Sequence, residues 1–92
     1  MKVHVECLGQ LGRIAGKSVA LELGPSAHSV DSLLAVMAGR FGDEFRRIVL
    51  DEQGKTRPSL IVLVNGAVVA KSHPATLKDG DIVRLLPAIA GG

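Results

Sequence analysis

The hydrophobic period of this chain changes twice, and that change restricts its fold more than any other feature. From Met1 to Gly9 (MKVHVECLG) apolar and polar residues alternate, with Val3, Val5 and Cys7 on one side of an extended chain and Lys2, His4 and Glu6 on the other. Lys17 to Leu23 (KSVALEL) alternates again, setting Val19, Leu21 and Leu23 against Ser18, Ala20 and Glu22. A period of two marks a strand with one buried face. Between Ser29 and Phe41 the period becomes helical, and Val30, Leu33, Leu34, Met37 and Phe41 fall on one stripe. Extended patterns then return at Leu60–Val64 and from Ile82 to Ala90.

The punctuation between these stretches sets the connections. Gly9, Gly12 and Gly16 interrupt the chain between the first two strands, so the sequence predicts a glycine-rich link and a hairpin that Gly24-Pro25 closes. Ser29 is a good N-cap, Asp31 in the first turn suits the helix dipole, and Gly39 or Gly42 ends the helix. DEFRRIVL (43–50) fits either a short helical turn or, at its end, a brief strand; Gly54 turns the chain in DEQGK. The continuous run Leu60–Val64 reads as a strand buried on both faces. Asn65-Gly66 is a strong two-residue hairpin signal leading to a short strand at Val68-Val69, and Asp79-Gly80 turns the chain into the last strand.

The resulting order is β-β-α-β-β-β. This predicts an α+β fold: a mixed sheet of four to five strands with one main helix packed on one face. The last strand cannot reach the first through a tight turn. Laid beside the first strand, parallel and in mid-sheet, it gives a ubiquitin-like β-grasp. The expected organisation is a single β-grasp domain over residues 1–86 and a flexible C-terminal tail over 87–92 ending in Gly-Gly.

Composition narrows the function. The 92 residues are 47% apolar, enough for one core without a disulfide or structural metal, and the apolar content is aliphatic, with two Phe and no Trp or Tyr. The formal net charge is +2 and only Arg46-Arg47 are adjacent cations. With no basic stripe and no aromatic stacking platform, nucleic acid and membrane are not expected partners. One cysteine, Cys7, excludes an internal disulfide, and His4, His28 and His73 show no ligand or triad spacing, so no metal is expected. The chain opens directly into a strand pattern without an apolar signal core, which points to a cytoplasmic protein. Cys7 alternates with inward residues and reads as a small buried hydrophobe. Arg46, Arg47, Arg57 and Arg84 read by default as a solvated face, with contact to an acidic partner surface as the alternative. No paired carboxylates, Ser/His/Asp set or phosphate-cradling glycine motif is present, so an enzyme acting by itself is not expected.

The C-terminus, Leu85–Gly92 (LLPAIAGG), is harder to explain as structure. Two terminal glycines add no packing and are costly to order. Pro87 has no N–H for a ladder and marks the handover from strand to tail. Leu85 and Leu86 point to opposite faces, one toward the core and the other toward a partner-facing apolar patch. Ala88, Ile89 and Ala90 would leave apolar surface exposed without a receiving groove, so Leu86, Pro87, Ala88, Ile89 and Ala90 are candidate partner-binding residues.

VLVNG (62–66), LKDGD (77–81), Pro87 and Gly91-Gly92 at the terminus, in that order, resemble the sulfur-carrier family that includes the small subunit of molybdopterin synthase and the thiamine sulfur carrier. The resemblance extends over essentially the whole chain; Leu85-Leu86 depart from it where some members carry aromatic residues. It implies that the carboxylate of Gly92 is adenylated by a ubiquitin-activating-type adenylyltransferase that uses ATP. A sulfurtransferase or other sulfur donor then converts it to a thiocarboxylate. The carrier itself binds no cofactor, and Gly91 is needed for entry into the partner's channel. The implied acceptor is the large subunit of molybdopterin synthase, the chain being the small subunit. Alternatives are a carrier for thiamine, cysteine or a secondary metabolite, or a ubiquitin-like modifier joined to lysines through Gly92.

Overall fold

The computed structural model describes residues 1–69 and 75–87. Among these residues eight elements follow in order: β1 (Lys2–Cys7), α1 (Gln10–Ala15), β2 (Ser18–Glu22), α2 (Val30–Phe41), α3 (Asp43–Val49), β3 (Leu60–Val64), β4 (Ala67–Val68) and β5 (Ile82–Pro87). The five strands form one sheet in the order β2-β1-β5-β3-β4. β1 and β5 run parallel at its centre, with His4 opposite Ile82 and Cys7 opposite Leu85. β2 and β3 pair antiparallel on the two sides, Val5 facing Val19 and Val62 facing Leu85. This is the β-grasp arrangement that the element order predicts.

Alternation within the strands assigns their faces. Val3, Val5, Cys7, Val19, Leu21, Leu60, Val62, Val83 and Leu85 are buried and join one core with Val30, Leu33, Leu34, Met37 and Ala38 of α2. α2 starts where the sequence places it: Ser29 Oγ accepts the Ser32 N–H at 3.0 Å. It ends at Gly42, not Gly39, and Gly42 at φ 101° also opens α3, a left-handed position that favours glycine. Phe45 and Val49 of α3 are fully buried, which settles 43–49 as helix. Phe41 is only partly buried; its ring lies 5.7 Å from that of Phe45 and under the Arg40 guanidinium.

Three sequence expectations are corrected. The link between β1 and β2 is the helix α1 rather than a turn. Its single fully buried side chain, Leu11, anchors it, and Gly12 lets it approach β1 so closely that a Cβ there would sit 2.8 Å from the Cys7 carbonyl oxygen. β3 is buried on one face only: Ile61 is 42% exposed, because all three helices lie inward and the outer sheet face is open. The short return strand begins one residue earlier than expected, at Ala67.

Candidate functional site

β5 carries the chain toward its C-terminus through the middle of the sheet. Leu85 is fully buried, whereas Leu86 faces outward, so the two leucines divide between core and surface as their alternation requires. Pro87 is the last residue of β5, opposite Leu60 on β3. A Cβ built at Gly9 would meet the Pro87 ring at 3.5 Å, so the β1–α1 junction rests against the last residue of the strand. Leu8 N–H donates to the Leu85 carbonyl at 3.0 Å and extends the parallel ladder beyond β1. Ala88, Ile89, Ala90, Gly91 and Gly92 lie outside the described residues.

Leu86 belongs to a wider apolar surface. On the outer sheet face Ile61 stands opposite Leu86, Leu63 opposite Arg84, and Val68 opposite Leu63. Leu86, Ile61, Val68, Ile82 and nearby Leu8 are all exposed. Among them sits one polar pair, Arg84 Nε donating to Glu6 Oε1 at 2.5 Å across the β1–β5 ladder. These two residues are 78 apart in the chain, so no local sequence signal joins them. A contiguous exposed apolar face beside a strand end is the form taken by a protein-docking surface.

The remaining candidates are structural. Cys7 is 2% exposed, and burial pushes its thiol up to about 11. Its contribution to stability is complete below the unfolded thiol's pKa and is lost as the pH rises through the folded value, the protonated form being the buried one. The native protein is therefore expected to resist a thiol-specific colorimetric reagent at pH 8 and to react only on denaturation; prompt stoichiometric labelling would place Cys7 on an accessible surface. His4 and His28 are exposed; His73 lies outside the described residues. Among the described residues no group of three or more His, Cys, Asp or Glu side chains gathers to hold a metal. A cleft of about 770 Å³ beside β3, lined by Arg57, Leu60, Val62 and Val69 among others, brings in Asp31 and Asp51. Both are occupied: Asp31 by the N–H and hydroxyl of Thr56, Asp51 by the N–H groups of Lys55 and Gln53. The Lys55 N–H foremost holds the Asp51 carboxyl below its ordinary value.

Comparison with known proteins bears on what this arrangement serves. A profile of the ThiS family matches residues 5–92, from the middle of β1 to the final glycine. The chain belongs to the ThiS family. No curated protein sequence matches it. The structure is similar to that of a putative molybdopterin converting factor, subunit 1, from Pyrococcus furiosus (26% identity, TM-score 0.69, covering 96% of this chain and 98% of that one). It is also similar to a chain of the Amycolatopsis orientalis BexX/CysO complex (28% identity, TM-score 0.69, covering 98% and 99%). SAMP1 from Haloferax volcanii shares the fold over the full length of both chains, at 21% identity and TM-score 0.77. The ThiS-family chain is thus a small ubiquitin-like protein of the sulfur-carrier class, and its match reaches the Gly91-Gly92 terminus. In this ThiS-family protein the outer sheet face and the last strand converge on one corner, next to Gly9 and Leu8.

Proposed function

We propose that the protein is a sulfur carrier whose Gly92 carboxylate is adenylated by a ubiquitin-activating-type enzyme at the expense of ATP. It is then converted to a thiocarboxylate by a sulfurtransferase or other sulfur donor. The observation that carries this reading is the family match running through β5 to the last glycine of the chain. A carboxylate resists acyl transfer because charge and resonance oppose attack; adenylation supplies a leaving group, AMP, which sulfur displaces. The chain contributes the acyl group and a recognition surface, while the catalytic groups belong to its partners. Two glycines without Cβ atoms suit a narrow channel that must bring the terminal carbonyl within roughly 3 Å of a reacting atom.

As acceptor route we retain the small-subunit role in molybdopterin synthase. It is supported by the likeness to the Pyrococcus furiosus protein and by the fold shared with the Helicobacter pylori complex of subunits 1 and 2 of molybdopterin-converting factor. The likeness to the BexX/CysO complex supports a carrier for another sulfur pathway as the alternative, and the fold shared with SAMP1 a modifier. Intact mass measurement of protein from its native host separates these outcomes. A thiocarboxylate adds about 16 Da, the exchange of one oxygen for sulfur, and co-purification with a large synthase subunit assigns the molybdopterin route. Lysine-linked conjugates without the sulfur adduct would replace the carrier reading by the modifier one.

The outer face has its own test. Leu86→Asp sets a charge in the exposed apolar patch without touching the core, so the melting temperature is expected to hold. Affinity for the adenylyltransferase, read by calorimetry, is expected to fall at least about tenfold, the scale of an interface anchor. Unchanged affinity would move the docking surface elsewhere.

A further inference from the structure

We propose that Arg13 of α1 and Lys17, just beyond the helix's C-terminal Gly16, form a fixed basic margin that orients an acidic-rimmed protein partner over the root of the C-terminal tail. The inference rests on the reading above, that a folded adenylyltransferase receives this tail. It goes further in naming the element that sets the approach and the charge of the surface that meets it.

The geometry makes the margin rigid. Leu11 fixes α1 in the core, and Gly12 sits against the Cys7 carbonyl at a distance no side chain would permit. The Gly16 N–H closes α1 on the Gly12 carbonyl at 3.0 Å, and the Cys7 N–H donates to the Lys17 carbonyl at 3.0 Å, tying the segment after the helix back to β1. The near end, Gly9, rests on Pro87. Arg13, Lys17 and the last residue of β5 therefore share one frame, and the Lys17 stem passes over α1, its Cγ 3.8 Å from the Cβ position of Gly12. Arg13 and Lys17 line the same shallow depression as Glu6, Leu8 and Gly9.

Charge gives the margin its partner. Arg13 and Lys17 are exposed, and among the described residues neither joins an ion pair, whereas Glu6 is taken by Arg84. Three cations and one anion thus meet at this corner. Arg57 adds to the positive charge at the end of β5, its carbonyl accepting the Leu60 N–H at 3.0 Å where Leu60 stands opposite Pro87. The exposed apolar residues Leu8, Leu86 and Ile61 adjoin it. An apolar centre with a basic edge is complementary to a groove whose floor is apolar and whose rim carries Asp or Glu. Charges at a rim act chiefly on the rate and orientation of encounter. A nucleic-acid backbone fits less well: it asks for a row of cations and stacking aromatics, and both Phe lie on the helices behind the sheet.

The test is the association rate of the full chain with the adenylyltransferase of its own organism, measured by stopped flow from about 0.02 to about 0.5 M salt, a range over which screening becomes nearly complete. The double variant Arg13→Glu/Lys17→Glu is expected to associate at least about tenfold more slowly at low salt and to converge on the unsubstituted protein at high salt. Its melting temperature and its adenylation rate at saturating carrier are expected to stay the same. Lys2→Glu/Lys78→Glu, at exposed positions by the opposite ends of β1 and β5, makes the same change in net charge and is expected to leave the rate within about twofold. Equal slowing by both double variants, or none by the first, overturns the inference while leaving the carrier reading in place. A carrier that is neither bound nor adenylated overturns both. Tight binding of a DNA duplex of about 20 base pairs, abolished by Arg13→Glu/Lys17→Glu, would reassign the margin to nucleic acid.

Discussion

Deleting Gly92 is expected to abolish acyl-adenylate formation, by at least about a thousandfold in pyrophosphate exchange, while leaving the melting temperature unchanged. Removing one residue draws the terminal carboxylate back by roughly 3.3–3.6 Å along an extended chain. Reacting atoms must lie about 3–3.5 Å apart, and a misplacement of about 1 Å already costs on the order of a hundredfold. The remaining carboxylate of Gly91 is chemically identical, so the loss measures placement alone. One alanine added after Gly92 is expected to fail equally, since it moves the carboxylate past the reacting position and adds a Cβ. On the stability side, the last core residue among those described is Leu85 and β5 ends at Pro87. Deletion at position 92 removes no buried group described in the fold, and a shift beyond about 0.5 kcal/mol would exceed that of an ordinary surface change. Retained adenylation in the Gly92 deletion would end the carrier reading. A large drop in melting temperature would make the tail a structural element.

Much of the fold was legible because its signals are periodic. β1, β2 and α2 each repeat one period for long enough to set a face, and Ser29 caps α2 as its hydroxyl predicts. The parallel pairing of β1 with β5 followed from element order, since no short connection joins them. α1 was hidden because Gly9, Gly12 and Gly16 within eight residues oppose a helix by intrinsic preference. Docking decides otherwise: Gly12 is there for the close approach to β1, and burial of Leu11 holds the turn. β3 misled for a different reason. LIVLV is apolar on both sides, yet only one side meets the helices; the other belongs to the exposed face with Leu86. A run of that kind reports apolar surface without saying whether its own fold or a partner covers it. Of the candidate site, the division of Leu85 from Leu86 was readable by alternation, and the chemistry of Gly92 only by resemblance. The Glu6–Arg84 pair and the Gly9–Pro87 contact join residues about eighty positions apart, which only the closed sheet brings together.

Asp81→Ala is expected to be the most damaging single substitution away from the apolar core, at about 3 kcal/mol, on the scale of hydrogen bonds to a charged group. Two turns that look independent in sequence are bonded to each other through this carboxylate. Asn65, held at φ 52° in the β3–β4 turn, donates its Nδ2 to Asp81 Oδ1 at 2.9 Å, and its Oδ1 accepts the Ile82 N–H at 2.9 Å. The Lys78 N–H donates to the other Asp81 oxygen at 2.8 Å, and the His4 N–H to the Asp81 carbonyl at 2.9 Å. Alanine leaves two donors at a nearly buried position without their acceptor. For a domain of this size the melting temperature is expected to fall by roughly 12–24 °C. A double-mutant cycle with Asn65→Ala is expected to show about 1–2 kcal/mol of coupling, because both changes break the same bond; simple additivity would mean that the turns act separately. Asp81 precedes β5 and Pro87 closes it, so this network and the tail sit at opposite ends of one strand. Below its lowered melting temperature, Asp81→Ala is therefore expected to be adenylated at the unsubstituted rate. A folded Asp81→Ala protein that failed in adenylation would extend the partner's footprint along the whole strand.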